Sequence, residues 1–278
     1  MAVFASKINT SSETYLKQRG EMLELVDKLN ELNARGRAIS EKRKPRFDKR
    51  GQLTPRERLA RLLDPGMPFL EISNLAGYQL DTKDEAKSIP GGTVIAGIGF
   101  ISGVRCCVVV DDSGILAGSL TLAGGYRIRR AQQISLEQKL PFIHLVESAG
   151  GDLMNYTVEN FTEGGDLFGS LAKLSKEGIP VISILHGSST AGGAYMPGLS
   201  DYVIAVKGTG RAFLAGPPLL KAATGEIATE EDLGGAEMHA TISGLAEYLA
   251  ENDGHAIQIC REVVGRLQWN DNCELPKK

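Results

Sequence analysis

Two apolar runs that each lead to a pair of glycines constrain the fold of this 278-residue chain more than any other feature. Residues 141–146 lead to Gly150 and Gly151, and residues 180–185 lead to Gly192 and Gly193. Short apolar runs bounded by turn residues are typical of buried strands. Glycine lets the backbone adopt unusual dihedral angles and lets a ligand approach the main chain closely. The pattern therefore predicts two buried strands, each followed by a turn with accessible backbone amides.

Backbone N–H groups at such turns, and at helix N-termini, attract negative charge. If the two strands are neighbours, amides from both turns can converge on one oxygen atom. That arrangement is an oxyanion hole, which stabilises charge developing on a substrate carbonyl. The alternative is that each glycine pair only forms a tight turn, which is the commoner explanation for either pair alone. Two pairs in the same setting favour a functional interpretation.

Composition and charge exclude several classes of protein. The net charge of −3 gives no reason to expect a nucleic-acid partner. No apolar run approaches the roughly 20 residues that span a bilayer, and the N-terminus lacks the pattern of a signal peptide. The four cysteines include no Cys-x-x-Cys pair, so we expect reduced thiols, no structural metal and a cytoplasmic location.

Periodicity and end signals predict the other elements. The expected helices lie at residues 12–33, 54–63, 127–139, 166–177 and 255–267. Ser12, Thr54 and Asp253 are their candidate N-caps. Further strands are expected at residues 92–100, 104–110 and 202–206, with a hairpin turn at Ser102 and Gly103.

The recurrence of strands and helices predicts an α/β fold built from stacked strand–strand–helix units. We divide the chain into a basic, helical N-terminal extension at residues 1–66, a main domain at residues 67–268 and a polar tail at residues 269–278.

Side chains near the turns give no clear acid or base. Glu147 and Asp152 are candidates for proton transfer, but each is equally expected to cap a loop or form an ion pair. His186 precedes the second glycine pair and is a candidate ligand contact. A serine hydrolase using Ser188 or Ser189 with His186 is disfavoured, because Gly-x-Ser-x-Gly is missing and no aspartate is placed by the sequence to orient the histidine.

Several longer motifs mark a resemblance that covers most of the chain. They include LTPRER at residues 53–58, GGTVIAGIG at residues 91–99, FLAGPPLLKAATGE at residues 213–226 and EDLGGA at residues 231–236. On these motifs the chain resembles the N-terminal half of the carboxyltransferase (beta) subunit of biotin-dependent acyl-CoA carboxylases. The methylcrotonyl-CoA and geranyl-CoA carboxylase branch is the most similar one.

The resemblance implies a crotonase-like fold, a superhelix of ββα turns, with an N-terminal helical extension. It implies that this half binds acyl-CoA and stabilises its enolate, which is carboxylated from carboxybiotin. The backbone amides of Gly150, Gly151, Gly192 and Gly193 would meet the thioester oxygen. Residues expected to bind the rest of acyl-CoA are Ala149, Ala191, Ala194, Arg127, Arg130, Gly216 and Lys221. The candidates for binding its phosphates are Arg127, Arg129, Arg130 and Lys221, although these are equally explained as solvated charges.

The resemblance also implies partners. Biotin would be carried by a separate protein or domain, together with a biotin carboxylase. A complementary carboxyltransferase C-domain or subunit would complete the site, and the assembly would be a homo-oligomer. Where the family has Asp-Ser-Gly-Gly-Ala, this chain has ESAGGD at residues 147–152, so the acyl group is not predicted. Three alternatives stay open: an enoyl-CoA hydratase or isomerase, a biotin-linked decarboxylase subunit, and a non-catalytic assembly subunit.

Overall fold

A mixed β-sheet forms the centre of the protein, for which a computed structural model describes residues 5–80, 82–152 and 157–269. Within these residues the sheet has seven strands, in the order β1-β2-β3-β4-β5-β7-β9. The strands of this sheet are β1 (Leu70–Glu71), β2 (Val94–Ile101), β3 (Val104–Asp111), β4 (Phe142–Val146), β5 (Val181–Leu185), β7 (Tyr202–Val206) and β9 (Tyr248–Ala250). A second, two-stranded sheet pairs β6 (Ser188–Thr190) with β8 (Arg211–Phe213).

The direction of the strands changes within the main sheet. Strands β1, β2 and β3 are antiparallel, and the β2–β3 hairpin turns at Ser102 and Gly103, which both have positive φ (49° and 79°). Two consecutive positive φ angles match the right-handed twist of a tight hairpin, so the predicted turn is confirmed. From β3 onwards the strands pair in parallel through β4, β5, β7 and β9. The carboxyl ends of β4 and β5 therefore meet at one edge of the sheet.

Helices cover both faces of the main sheet. The helices are α1 (Glu13–Glu41), α2 (Lys44–Lys49), α3 (Pro55–Leu62), α4 (Leu122–Gln138), α5 (Val158–Lys176), α6 (Gly192–Gly198), α7 (Pro217–Thr224), α8 (Glu230–Gly234), α9 (Ala236–Met238) and α10 (Asp253–Arg266). One core lies between the sheet and helices α3 and α10, and a second lies between the sheet and helices α4 and α5. No helix among the described residues is long and apolar enough to cross a membrane.

Helices α4 and α5 both begin earlier than expected, because glycine pairs inside them resemble loop signals. Helix α4 begins at Leu122, where the Thr121 side chain accepts a hydrogen bond from Gly124 N. A Cβ at Gly124 would lie 3.1 Å from Thr93 Oγ1 and 3.2 Å from Val94 Cγ2. Here glycine is needed for close packing of the helix on the sheet. Helix α5 begins at Val158, whereas its expected start was residue 166.

The N-terminal extension differs from the expectation in length and in packing. Helix α1 continues to Glu41, beyond its expected end at residue 33, and only Leu32 and Ser40 are buried along it. Helix α3, by contrast, buries Leu59 and Leu62 in the same core as the sheet. The domain division at residue 66 stays a prediction, and this packing groups α3 with the main domain. Residues 270–278 of the predicted tail lie outside the described residues.

Candidate active site

The two glycine turns lie side by side at the carboxyl edge of the parallel strands. The first glycine turn (residues 147–152) follows β4, and the second glycine turn (residues 186–193) follows β5 and includes β6. Strands β4 and β5 are direct neighbours, with Val146 opposite Leu185. Thr190 N also donates a hydrogen bond to Ser148 O at 3.0 Å, so the turns themselves are joined. The expectation that neighbouring strands bring the turns together holds in the structure.

In each pair, one glycine is packed against the opposite turn. Gly150 is buried with φ 86°, and a Cβ there would lie 2.8 Å from Thr190 O. Gly193 is also buried, and a Cβ there would lie 2.9 Å from Ser148 Cβ. Real Cβ atoms do not approach other atoms this closely, so the turns can touch only because both residues are glycine.

The other glycine of each pair is open. A Cβ at Gly151 would meet no atom of the described residues within 4 Å, and one at Gly192 would meet only Phe168 Cζ, at 3.6 Å. Gly151 is exposed and Gly192 is half-buried. Each turn therefore contains one packed glycine and one open glycine.

The amides of the open glycines are the best placed to meet a ligand. The parallel bridge between Leu120 and Gly151 uses Gly150 O and Asp152 N, which leaves the N–H of Gly151 out of the bridge. Gly192 and Gly193 are the first two residues of α6, where a helix has no intrahelical partner for its N–H groups. Gly150 N instead donates to Ser148 Oγ at 3.2 Å. Of the four expected donors, Gly150 is thus engaged within its own turn.

Ala191 holds the second turn in an unfavourable conformation. Its φ of 49° and ψ of −119° lie outside the regions that residues with a side chain readily adopt. Ala191 N donates to Phe213 O at 3.1 Å, and Ala191 O accepts from Ala194 N at 3.0 Å. The strained residue therefore lies between the end of β6 and Gly192, the first residue of α6.

A buried network of charged side chains lies beneath both turns. Arg58 contacts the carboxylate of Glu147 and donates through Nε to Asp253 Oδ2 at 3.0 Å. The other oxygen of Asp253 is 2.7 Å from Nδ1 of His186. Burial alone would raise the pKa of Asp253, but His186 and Arg58 together lower it to about 2. Burial and the charge of Arg58 lower the pKa of His186, although its contact with Asp253 acts in the opposite direction.

This network corrects two expectations. Asp253 is not the cap of α10, since the side chain of Asn252 accepts from His255 N and performs that role. His186 is fully buried, so it does not contact a ligand. Asp253 does orient His186, which resembles part of a hydrolase triad, but Nε2 of the buried His186 has no hydrogen-bond partner among the described residues, so it contacts neither the exposed Ser188 nor the buried Ser189.

Comparisons with known proteins identify the family of the chain. The model of the carboxyl transferase domain family matches residues 46–278. The chain belongs to that family. It is 47% identical over 246 residues to a probable biotin-dependent acyl-coenzyme A carboxylase beta2 subunit from Mycobacterium tuberculosis, covering 87% of this chain and 45% of that protein. It is 39% identical over 268 residues to a probable mitochondrial methylcrotonoyl-CoA carboxylase beta chain from Drosophila melanogaster, covering 95% and 46% respectively.

Solved structures of carboxyl transferases share the fold. The beta subunit of geranyl-CoA carboxylase from P. aeruginosa superposes with a TM-score of 0.90 and 47% identity, covering 99% of this chain and 51% of that one. The transcarboxylase 12S structure with methylmalonyl-coenzyme A bound has a TM-score of 0.77 and 29% identity, covering 88% and 47%. The fold of this carboxyl transferase chain is therefore crotonase-like, as expected. The chain spans about half the length of the curated relatives it matches.

Arg127 does not fit the expected role of a phosphate ligand in this carboxyl transferase. It is 3% exposed, and its guanidinium donates to Ile72 O, Gly91 O and Val94 O and pairs with Glu71 at 3.0 Å. Burial lowers its pKa, partly offset by Glu71. Arg127 joins α4 to the start of the sheet, and we remove it from the candidate phosphate contacts.

The other expected acyl-CoA contacts lie at or near the surface. Arg130 is exposed and donates to Gln133 Oε1 at 2.8 Å, and Lys221 is exposed in the last turn of α7. Gly216 is the half-buried N-cap of the same helix. Ala149 is exposed in the first turn, and its N–H donates to Ala117 O at 3.2 Å. Their roles in binding stay predictions.

Sequence reasoning did not identify Arg58 or the true role of Asp253. One signal for Arg58 was present: it lies four residues before Leu62 and therefore on the buried face of α3. An arginine at a core-facing position needs a buried carboxylate partner.

Proposed function

We propose that this chain is the acyl-CoA half of the carboxyltransferase component of a biotin-dependent acyl-CoA carboxylase. The observation that carries the proposal is the pairing of open glycines, Gly151 and Gly192, on two turns that touch through their packed glycines. Family membership supports the same assignment.

In this proposal, the contribution of this protein to the chemistry comes from its backbone amides, which stabilise negative charge on the substrate oxygen. The thioester oxygen of acyl-CoA lies between the two turns and accepts hydrogen bonds from Gly151 N and Gly192 N. The partial positive charge at the start of α6 adds to the attraction for the enolate oxygen. Carboxybiotin, carried by a partner protein, would supply the carboxyl group.

The titratable side chains beneath the turns do not act as the base in this proposal. Glu147 is engaged by Arg58, and His186 is buried against Asp253. A hydratase or isomerase requires a resident acid or base at the substrate, and these contacts disfavour Glu147 and His186 in that role. Asp152, which is half-buried in the first turn, keeps that alternative open. A decarboxylase subunit remains a second candidate, because the chain is 33% identical over 258 residues to the alpha subunit of methylmalonyl-CoA decarboxylase from Veillonella parvula. Both reactions pass through the same enolate.

Partners follow from the same proposal. A complementary carboxyltransferase half, a biotin carboxylase with its biotin carrier and further copies of this chain would complete the enzyme, which we assign to the cytoplasm. Buried free thiols at Cys106, Cys107 and Cys260 suit a reducing compartment. Helix α1 supports assembly with partners, because it exposes many apolar side chains. They are Leu16, Met22, Leu23, Leu25, Val26 and Leu29, each 40–62% exposed.

Calorimetric titration tests the acyl-CoA assignment directly. Purified full chain is titrated with acyl-CoAs of several chain lengths and with matched thioether analogues, which lack only the carbonyl oxygen. We expect saturable binding of at least one acyl-CoA and about tenfold weaker binding of its thioether. That ratio corresponds to the loss of one or two neutral hydrogen bonds of about 1 kcal/mol each.

Two results would contradict the proposal. Absence of saturable binding by every acyl-CoA would remove the substrate class. Equal affinity for the thioester and its thioether would show that the turns do not contact the carbonyl oxygen.

A further inference from the structure

The buried network beneath the turns, which we call the Arg58 network, consists of Arg58, Glu147, His186 and Asp253. Its members come from four separate elements: α3, the ends of β4 and β5, and the start of α10. Exposure is 6% or less for each of the four residues. The network therefore connects helix α3 to the base of both glycine turns.

Each turn is attached to the network at its first residue. Glu147 begins the first turn, three residues before Gly150, and its backbone N donates to Asp111 Oδ2 at 3.1 Å. His186 begins the second turn, and its backbone O accepts from Gln52 Nε2 at 3.0 Å. A Cβ at Gly187 would lie 2.6 Å from Glu147 Cδ, so the Glu147 side chain also lies against the second turn.

Arg58 is the only member that contacts two carboxylates of the network. Its Nη1 contacts Glu147 and its Nε contacts Asp253, which the backbone N of Leu53 also contacts at 2.7 Å. The planar guanidinium fixes both carboxylates in one geometry, which a lysine cannot do. The position and angle of Glu147 thus depend on a residue of α3, 89 positions earlier in the chain.

Stability alone does not account for the network. Burying an ion pair costs desolvation energy that its attraction often fails to recover, and apolar replacements are frequently as stable. Nη2 of Arg58 and Nε2 of His186 are also buried with no hydrogen-bond partner among the described residues. Such unsatisfied groups carry a further cost.

Charge gives a second reason for the network. A buried carboxylate at Glu147 lies only a few residues from the proposed oxyanion amides, and alone it would oppose negative charge there. The positive charge of Arg58, in direct contact with this carboxylate, compensates its negative charge. Fixed geometry and compensated charge are both requirements of a preorganised oxyanion hole.

We propose that Arg58 is a positioning residue for the oxyanion hole: through Glu147 and Asp253 it sets the separation and orientation of the two glycine turns. This inference rests on the proposed function, since it concerns binding of charge at the same turns. It predicts that loss of Arg58 weakens binding of an enolate-like anion more than binding of a neutral acyl-CoA.

The test compares two probes on the full chain. One is the neutral acyl-CoA that binds the wild-type protein, and the other is the corresponding 2-nitroacyl-CoA in its ionised form, which carries negative charge as the enolate does. Calorimetry gives the ratio of the two affinities for wild type, Arg58→Met and Arg58→Lys. Arg56→Met is the matched control, because Arg56 lies on the same helix and pairs with Glu71 at 3.2 Å, outside the network.

We expect Arg58→Met to keep its affinity for neutral acyl-CoA within about threefold and to lose up to about 100-fold in affinity for the anion, as a displacement near 1 Å would cause. Arg58→Lys, which keeps the charge but cannot span both carboxylates, should lose part of the preference for the anion. Arg56→Met should keep the wild-type ratio. Thermal unfolding of each variant establishes that it is folded.

Several outcomes would overturn the inference. If folded Arg58→Met loses both probes equally, the role of Arg58 is only structural. If Arg58→Lys keeps the full wild-type ratio, charge rather than position is what matters; this variant also decides the question if Arg58→Met does not fold. If the wild-type chain binds neither probe, the proposed function itself fails, and that result is distinct from any effect confined to the variants.

Discussion

The two glycine turns share a sequence pattern, yet the structure uses their glycines in opposite order. In the first turn the packed glycine, Gly150, precedes the open one, Gly151. In the second turn the open glycine, Gly192, comes first, and Gly193 is packed. The packed residues join the turns, and the open residues lie beside the junction.

The turns also obtain their rigidity in different ways. Side chains support the first turn: Ser148 Oγ donates to Gly118 O at 2.9 Å and accepts from Gly150 N, and Glu147 is held by Arg58. Backbone conformation supports the second turn, where the strained Ala191 leads directly into α6. A Gly-Gly pair after a strand therefore does not specify which glycine meets the ligand or what holds the turn in place.

The largest expected effect distinguishes the two glycines of the first turn. Gly150→Ala places a Cβ 2.8 Å from a backbone oxygen at a residue whose φ is 86°. Strain at positive φ and overpacking add, so the free energy of unfolding should fall by about 3 kcal/mol. Urea denaturation of the purified chain measures this change.

Gly151→Ala is the matched control for that substitution. Gly151 does not have a positive φ, and its Cβ would meet no described atom within 4 Å. We expect a change below about 0.5 kcal/mol, as for other surface substitutions. Equal losses for the two variants would refute the distinction between packed and open glycines in this turn.

In the second turn, alanine at the second glycine of the pair should cost more stability than alanine at the first. Gly193→Ala brings a Cβ to 2.9 Å from Ser148 Cβ and should destabilise the chain by about 1–2 kcal/mol, because overpacking outweighs the gain from alanine in a helix. Gly192→Ala meets only Phe168, at an ordinary 3.6 Å, and should be neutral or slightly stabilising. Denaturation curves for both variants decide this, and a larger loss for Gly192→Ala would show that the assignment is inverted.

Strands were the part of the fold that the sequence predicted best. The expected strand at residues 180–185 is β5 (Val181–Leu185), and the one at residues 202–206 is β7 (Tyr202–Val206). Continuous apolar runs bounded by turn residues leave few alternatives for a chain segment. Helix boundaries were less predictable, because Gly124 in α4 serves packing against Val94 rather than ending the helix.

The site could be predicted only as far as local sequence determines it. Neighbouring strands bring the glycine turns together, and that follows from parallel pairing. The network beneath them depends on contacts such as Arg58 with Asp253, which are 195 residues apart. Asp253 also lies at the start of a helix, where an aspartate often acts as a cap, so its local setting indicated a different role. Which glycine is packed likewise depends on atoms of the other turn.

The smallest expected effect tests how the second turn is held. Ala191→Gly relieves a sparsely populated conformation that costs about 1–3 kcal/mol, but it gives the unfolded chain about 0.4–1 kcal/mol more entropy. The net result should be stabilisation by about 1 kcal/mol.

Ala149→Gly is the matched control in the first turn, since Ala149 is also exposed but does not have a positive φ. That variant should lose about 0.4–1 kcal/mol. Both variants are measured by thermal and urea denaturation. A gain in stability for Ala191→Gly with a loss for Ala149→Gly would establish that backbone strain is confined to the second turn. A loss of stability in both variants would show that Ala191 carries no strain.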